Sequence, residues 1–297
     1  MRPSNTQAPK ASGFVSRSDW RGGGALIRDY ALIVGAAVLC EFYGNWIGYL
    51  ATVWFIGLIQ LGLGETLTHE ASHFKLFKTR RFNRWSEWLC CYPFGFTLSD
   101  YRREHIEHHQ LLNTNREQLH QDYSSHGLLK PERNMVWLWF FKPVLGYAAF
   151  AYLSSLIELA TRKSAPGILF FWMALIGVSA WGGWLDALFL YWVIPMLWSY
   201  ASFFYWSEIE DHFNTRTGTR TNIGWNNWLT HNNGYHAVHH RYPAIPWYRL
   251  KEAHYALCDN TSDISRGFLD TFRQISSNQT GESQNRPRLG QPVAVNS

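Results

Sequence analysis

Apolar positions gather into four stretches, residues 30–44, 46–67, 167–181 and 184–206, with long polar segments between and around them. At about 1.5 Å of rise per residue, the second and fourth are long enough to cross a hydrocarbon core of about 30 Å as helices. The first and third hold 15 residues each, so flanking Trp, Tyr or Arg would have to reach the interfaces for them. The stretches come in pairs, closed by the very short links Asn45-Trp46 and Gly182-Gly183. This pattern predicts an all-α integral membrane protein of four transmembrane helices in two hairpins. Three regions follow along the chain: a polar segment at residues 1–24, the main domain at 25–275, and a tail at 276–297 whose Asn, Gln, Pro and Gly content predicts disorder. No apolar core with a cleavage site stands in the first 24 residues, so no signal peptide is expected.

Composition supports a membrane location. Hydrophobic residues make up 46% of the 297, with 16 Trp, 15 Tyr and 19 Phe, while charged residues are 16% against about 25% in soluble domains. The mean hydropathy of −0.23 averages polar ends with apolar segments and hides them. A net charge of +5 would suit nucleic acid in another context; beside this aromatic excess it suits a membrane surface, and no nucleic-acid partner is expected. Lys75, Lys78, Arg80, Arg81, Arg84, Arg102, Arg103, Arg116, Lys130 and Arg133 crowd the middle segment, and neither tight link carries a Lys or Arg. The positive-inside rule then puts that segment and both termini in the cytoplasm. Cys40, Cys90, Cys91 and Cys258 form no C-x-x-C pair and no disulfide framework.

The histidines carry the chemistry. Of 13, eight fall in three boxes: His69-Glu-Ala-Ser-His73, His105-Ile-Glu-His108-His109 and His236-Ala-Val-His239-His240. On a helix, residues three and four apart share a face, so each box projects two or three imidazoles one way. Box one follows the second apolar stretch, box two lies in the same basic segment, and box three follows the fourth stretch. Two hairpins bring all of them to one side. His212, in Glu208-Ile-Glu-Asp-His212, follows the fourth stretch as well; a lone His there is otherwise a helix cap. Residues 136–159 could span on length alone, but a crossing would put the boxes on opposite faces. They are expected in the interface, with Lys142 towards the headgroups. Nine imidazoles exceed what one ion can take, and two ions with four or five each fit the count. Ligand type does not by itself choose among Zn, Cu, Fe and Ni. Zinc brings no redox chemistry, and a multi-imidazole pair at a membrane face makes most sense as an oxygen-activating site.

The motifs Tyr101-Arg102-x-x-His105-x-x-His108-His109 with Asn113-Thr114, Asn233-Gly234-Tyr235-His236, and Pro243-Ala-Ile-Pro246-Trp247-Tyr248-Arg249-Leu250 resemble the membrane fatty acid desaturase superfamily, in particular bacterial acyl desaturases. The resemblance implies four membrane helices under a cytoplasmic helical cap and a site of two iron ions. Its ligands would be His69, His73, His105, His108, His109, His212, His236, His239 and His240. It also implies O2 as co-substrate, a lipid or acyl substrate, and a separate electron donor of ferredoxin or cytochrome b5 type. Some members place an Asn, holding a water on iron, where this chain has Glu208. The acidic D-P-D after box two is absent here, and no His-Pro-Gly-Gly of a fused cytochrome b5 is present. Glu65, Glu208 and Asn233 are candidates for contacts outside the ligand set, Asn233 alternatively as a helix cap. Other classes remain to be weighed. A hydroxylase or ketolase of the same superfamily would use the same site. His69-Glu70-x-x-His73 is also the zinc-protease motif, with Glu70 as general base, though that reading leaves six imidazoles without a purpose. A bis-His haem carrier would use two histidines, and transport sites lie near the bilayer midplane, whereas these boxes lie beyond the helix ends.

Overall fold

The computed structural model describes residues 10–112, 114, 116–258 and 263–277. Asn113, residues 1–9, and all but the first two residues of the expected tail lie outside them. The chain is mostly helical, and the described strands are one short parallel pair, β1 (Arg220–Asn222) with β2 (Asp263–Ser265), in register Arg220↔Asp263.

Two helical hairpins form the apolar half. Helix α1 (Asp19–Tyr43) ends where Gly44 turns into the left-handed region at φ 46°, a conformation open to glycine at little cost. Asn45 then starts α2 (Trp46–Ser72), its Oδ1 accepting the Gly48 amide at 2.8 Å. The turn thus falls at Gly44-Asn45, one residue earlier than the apolar pattern places it, because Trp46 is already helical. Gly182 and Gly183 (φ 72°) join α6 (Ala165–Trp181) to α7 (Leu185–His212). Among the described residues two helices, α2 and α7, are long and apolar enough to cross a membrane; α6 is apolar but has only 17 residues. Helix α1 is longer than its apolar stretch and runs through residue 24. Its first turns are polar because they dock on the histidine-bearing half: Asp19 accepts from the Thr79 amide and hydroxyl at 2.8 and 2.7 Å, and buried Asp29 meets His231 at 2.7 Å. The remainder of α1 exposes Val34, Val38 and Phe42, and α6 exposes Leu169, Phe170 and Met173, apolar faces that no described residue covers.

The core between the hairpins joins Ile56, Ile59 and Leu63 of α2 to Trp192, Met196 and Tyr200 of α7. Gly57 permits this approach, since a Cβ there would overlap Ser199. Both helices contain π-helical turns, residues 62–67 of α2 and 189–193 and 196–200 of α7. Such turns often stand beside functional sites, where they redirect the side chains that follow.

The polar half contains α3 (Leu98–Leu111), α4 (Gln118–His126), α8 (His236–Arg241) and α9 (Trp247–Leu257). Residues 136–159 form a bent helix. It breaks at Leu145-Gly146, where Gly146 has φ 105°, and continues as α5 (Ala148–Ala160). Its first limb runs back along α7, Tyr205 donating to the Leu138 carbonyl and Trp206 to that of Trp139. Its far end returns to α3: Arg162 pairs with Glu104 at 2.6 Å and Ser164 donates to Asp100 at 2.6 Å. Lys142 is anchored at the end of α4. Its ammonium donates to the His126 carbonyl at 2.7 Å and lies 3.6 Å from the Tyr147 ring centre. The free carbonyl end of α4 attracts the cation.

Candidate metal centre

Box one occupies the end of α2, box two the last turns of α3, box three all of α8, and His212 the last residue of α7. The structure brings the nine histidines into two groups. His69, His73, His105, His109 and His239 offer one ligand atom each, all within 4.8 Å of one another, and His108, His212, His236 and His240 do the same. In the first group Nε2 atoms form a chain, His73 to His105 at 2.8 Å, His105 to His109 at 2.9 Å, His109 to His239 at 3.1 Å and His239 to His69 at 2.9 Å. In the second, His236 stands 2.9 Å from His212 and 2.8 Å from His240, with His108 3.3 Å from His240. An imidazole nitrogen has one in-plane lone pair and cannot accept two hydrogen bonds. These chains are therefore poor hydrogen-bond networks, and a cation at each focus is what the arrangement fits.

Electrostatics agree. Burial pushes the His73 imidazole down to about 2 and that of His109 down to about 3. Burial, then neighbouring histidines, holds His105, His236, His239 and His240 well below the usual histidine range. Neutral imidazoles with free lone pairs are the form that binds metals. The ring atoms facing away are held as in metal sites. The His108 Nδ1 meets Glu117 at 2.5 Å, His212 Nδ1 meets the Gly218 carbonyl at 2.9 Å, and His236 Nδ1 lies 3.6 Å from Asp211.

Glu70, the would-be protease base, is occupied. Its Oε1 takes the Lys75 ammonium at 2.9 Å and its Oε2 the Trp247 amide at 2.9 Å. Lys75, fully buried, also donates to the Ile245 carbonyl at 3.1 Å and stands 3.4 Å from His239 Nδ1. The Pro243–Leu250 motif thereby locks box three onto box one, and the zinc-protease reading loses its base. Tyr101 donates to Glu65 at 2.6 Å and stacks on His105 with ring centres 5.7 Å apart, while Arg102 donates to the Ser72 carbonyl.

The sequence model of a family described as Fatty acid desaturase matches residues 44–263, which include all nine histidines. The chain belongs to the fatty acid desaturase family. It is similar to the dihydrorhizobitoxine desaturase of Bradyrhizobium elkanii, 26% identical over 261 residues that cover 77% of this chain and 72% of the relative. A desaturase is an oxidoreductase, and this family is membrane-associated and typically uses iron.

Within this member of the family the sequence-predicted residues divide clearly. All nine histidines converge. Glu65 reaches His105 through Tyr101. Asn233 acts at one further remove, its amide donating to Ser207 at 3.1 Å, and Ser207 bonds Asp211 beside His236. Glu208 makes no hydrogen bond to a histidine among the described residues. His126, His231 and His254 stand outside both groups, His231 against Asp29 and Trp247. Sequence reasoning missed Glu117, Asp211 and Lys75. The signal for Asp211 was its place beside His212; for Glu117 and Lys75 no periodicity gives one.

Proposed function

We propose that this desaturase holds two iron ions, one in the five-histidine group and one in the four-histidine group, and uses O2 to introduce a double bond into an aliphatic segment. The balance is –CH2–CH2– with O2, two electrons and two protons going to –CH=CH– and two waters. The electrons come from a separate ferredoxin- or cytochrome b5-type donor. When bound, the irons supply O2 activation and hydrogen abstraction. The chain supplies position. Helices α2 and α7 bring substrate from the membrane side, α3 and α8 close the opposite side, and Glu117 and Asp211 keep His108 and His236 oriented with Nε2 inward. Four helices cross the bilayer in this reading, with the histidines and both termini cytoplasmic, as the Lys and Arg distribution supports.

The observation that carries the reading is the convergence of nine imidazoles into groups of five and four. Purified protein should contain two irons per chain and show no Soret band; one zinc per chain from iron-replete cells would overturn it. Mass spectrometry of the product separates the two reactions such a site can support. Loss of about two mass units marks desaturation, and a gain of about sixteen marks hydroxylation. A fatty acyl chain is the substrate the family's description supplies, whereas the relative is named for dihydrorhizobitoxine. Family membership supports a desaturase-like oxidoreductase.

A further inference from the structure

An arginine is buried at the end of α7, and its bonds go to uncharged oxygens. Arg220, the first residue of β1, is 1% exposed. Its Nη1 donates to the Glu210 carbonyl and its Nη2 to the carbonyls of Phe213 at 3.0 Å and Asn214 at 3.4 Å. Its Nε donates to Gln274 Oε1 at 3.1 Å. The acidic charges that bear on it, Asp263, Glu210 and Asp211, act through space. Taking a guanidinium out of water is costly unless every donor finds a good partner. Here the partners are carbonyls at and just past the C-terminus of α7, which the helix itself leaves free and whose partial negative charge suits a cation.

What Arg220 closes is the turn that carries His212. Residues 213–219 leave α7 and come back, so His212 stands before the loop and Arg220 just after it. Within the loop, Thr215 Oγ1 donates to the His212 carbonyl at 3.0 Å, and the Gly218 carbonyl meets His212 Nδ1 at 2.9 Å. Behind the guanidinium lies α10 (Phe268–Ser276), which supplies Gln274. The Gln274 amide donates to the Ile264 carbonyl of β2 at 2.8 Å, and Asn214 donates to the Gln274 carbonyl at 2.9 Å. His212 is the histidine that α7 contributes, and it belongs to the group of four. The group of five is fastened elsewhere, by Lys75 between Glu70 and the Ile245 carbonyl and by Tyr101 against His105. The two groups therefore rest on separate supports.

We propose that Arg220 is a positioning residue for the four-histidine site alone: it fixes the last turn of α7, and through that turn the aim of His212. This rests on the two-iron reading. The test uses purified full-length protein in detergent with Fe2+ as the probe, iron counted per chain and each iron's affinity measured by chelator competition. Arg220→Met keeps much of the bulk and removes the donors. It should weaken one iron about 10–100-fold and leave the other at wild-type affinity. The absorption spectrum of the iron that remains should match that of His212→Ala, which loses a ligand of the same site. Arg220→Lys, a compact charge that cannot fork across several carbonyls, should fall between Arg220→Met and wild type. Gln274→Leu frees the guanidinium without removing it and should weaken the same iron about 10-fold; it decides the matter if Arg220→Met does not fold. Wild-type affinity for both irons in the deciding variant overturns the proposal. So does weakening of both irons in parallel, which makes Arg220 a general support of the fold, or a remaining iron whose spectrum differs from that in His212→Ala. Wild-type protein with fewer than two irons contradicts the two-iron reading itself, whereas two irons that weaken together contradict this proposal alone.

Discussion

Single side chains decide between chemistries here, and Glu70 is the sharpest instance. As a protease base it would need a free carboxylate, but both oxygens are engaged, by Lys75 and the Trp247 amide. Glu70→Gln should therefore lower activity only in part. It leaves a buried ammonium short of its counter-charge, at about 1–3 kcal/mol of stability. His239→Ala and His240→Ala each remove an imidazole that converges on a focus, and both should be inactive and iron-depleted yet still inserted in the membrane, as iron analysis of washed membranes can check. Full activity in His240→Ala beside a dead Glu70→Gln would reverse this assignment. Glu117→Ala should weaken iron affinity about 10–100-fold without removing a ligand, measurable by chelator competition. Eight of the nine histidines were legible because boxes at helical spacing need no knowledge of the fold, and His212 came from its place after the fourth apolar stretch and from the family resemblance. Glu117 and Lys75 were not, because the turns after α3 and α2 bring them back to His108 and His239.

Among the elements, the hairpins were legible from the glycines and Asn45 that close them, whereas the polar start of α1 and the bent segment before α6 were not. Asp19 and Asp29 read as ordinary polar residues until Thr79 and His231, far away in sequence, meet them. Residues 136–159 have the length of a span, and only the contacts of this segment and its flanks show that it leaves α4 and returns to α3. A reporter after Ala160 should therefore face the same side as reporters after Arg116 and Glu252, with one at Gly183 on the other. Opposite results at Arg116 and Glu252 would mean that the bent segment crosses and that the histidines cannot share a site.

At the scale of the molecule, metal, protons and folding compete for the same imidazoles. In the folded chain His73 is pushed down to about 2 and His109 to about 3, with His105, His236, His239 and His240 also well below 6.5. The unfolded chain protonates these groups near 6.5. Below that pH the unfolded state binds more protons than the native state, so stability falls as pH falls, by up to about 1.4 kcal/mol per group per pH unit. The window opens at 6.5 and runs down to about 3 for His109 and about 2 for His73. Above 6.5 neither state is protonated at these groups, and they contribute no slope. The unfolding midpoint in detergent should thus be flat from pH 8 to 7 and fall progressively from pH 6 to 4. Iron should leave over the same range, because each ligand must be unprotonated to bind. His240→Ala, with one such group fewer, should show a shallower fall in the metal-free protein. A midpoint that stays level down to pH 4.5 in metal-free wild type would mean that the imidazoles are not held neutral together, and with that the case for two cation sites would fail.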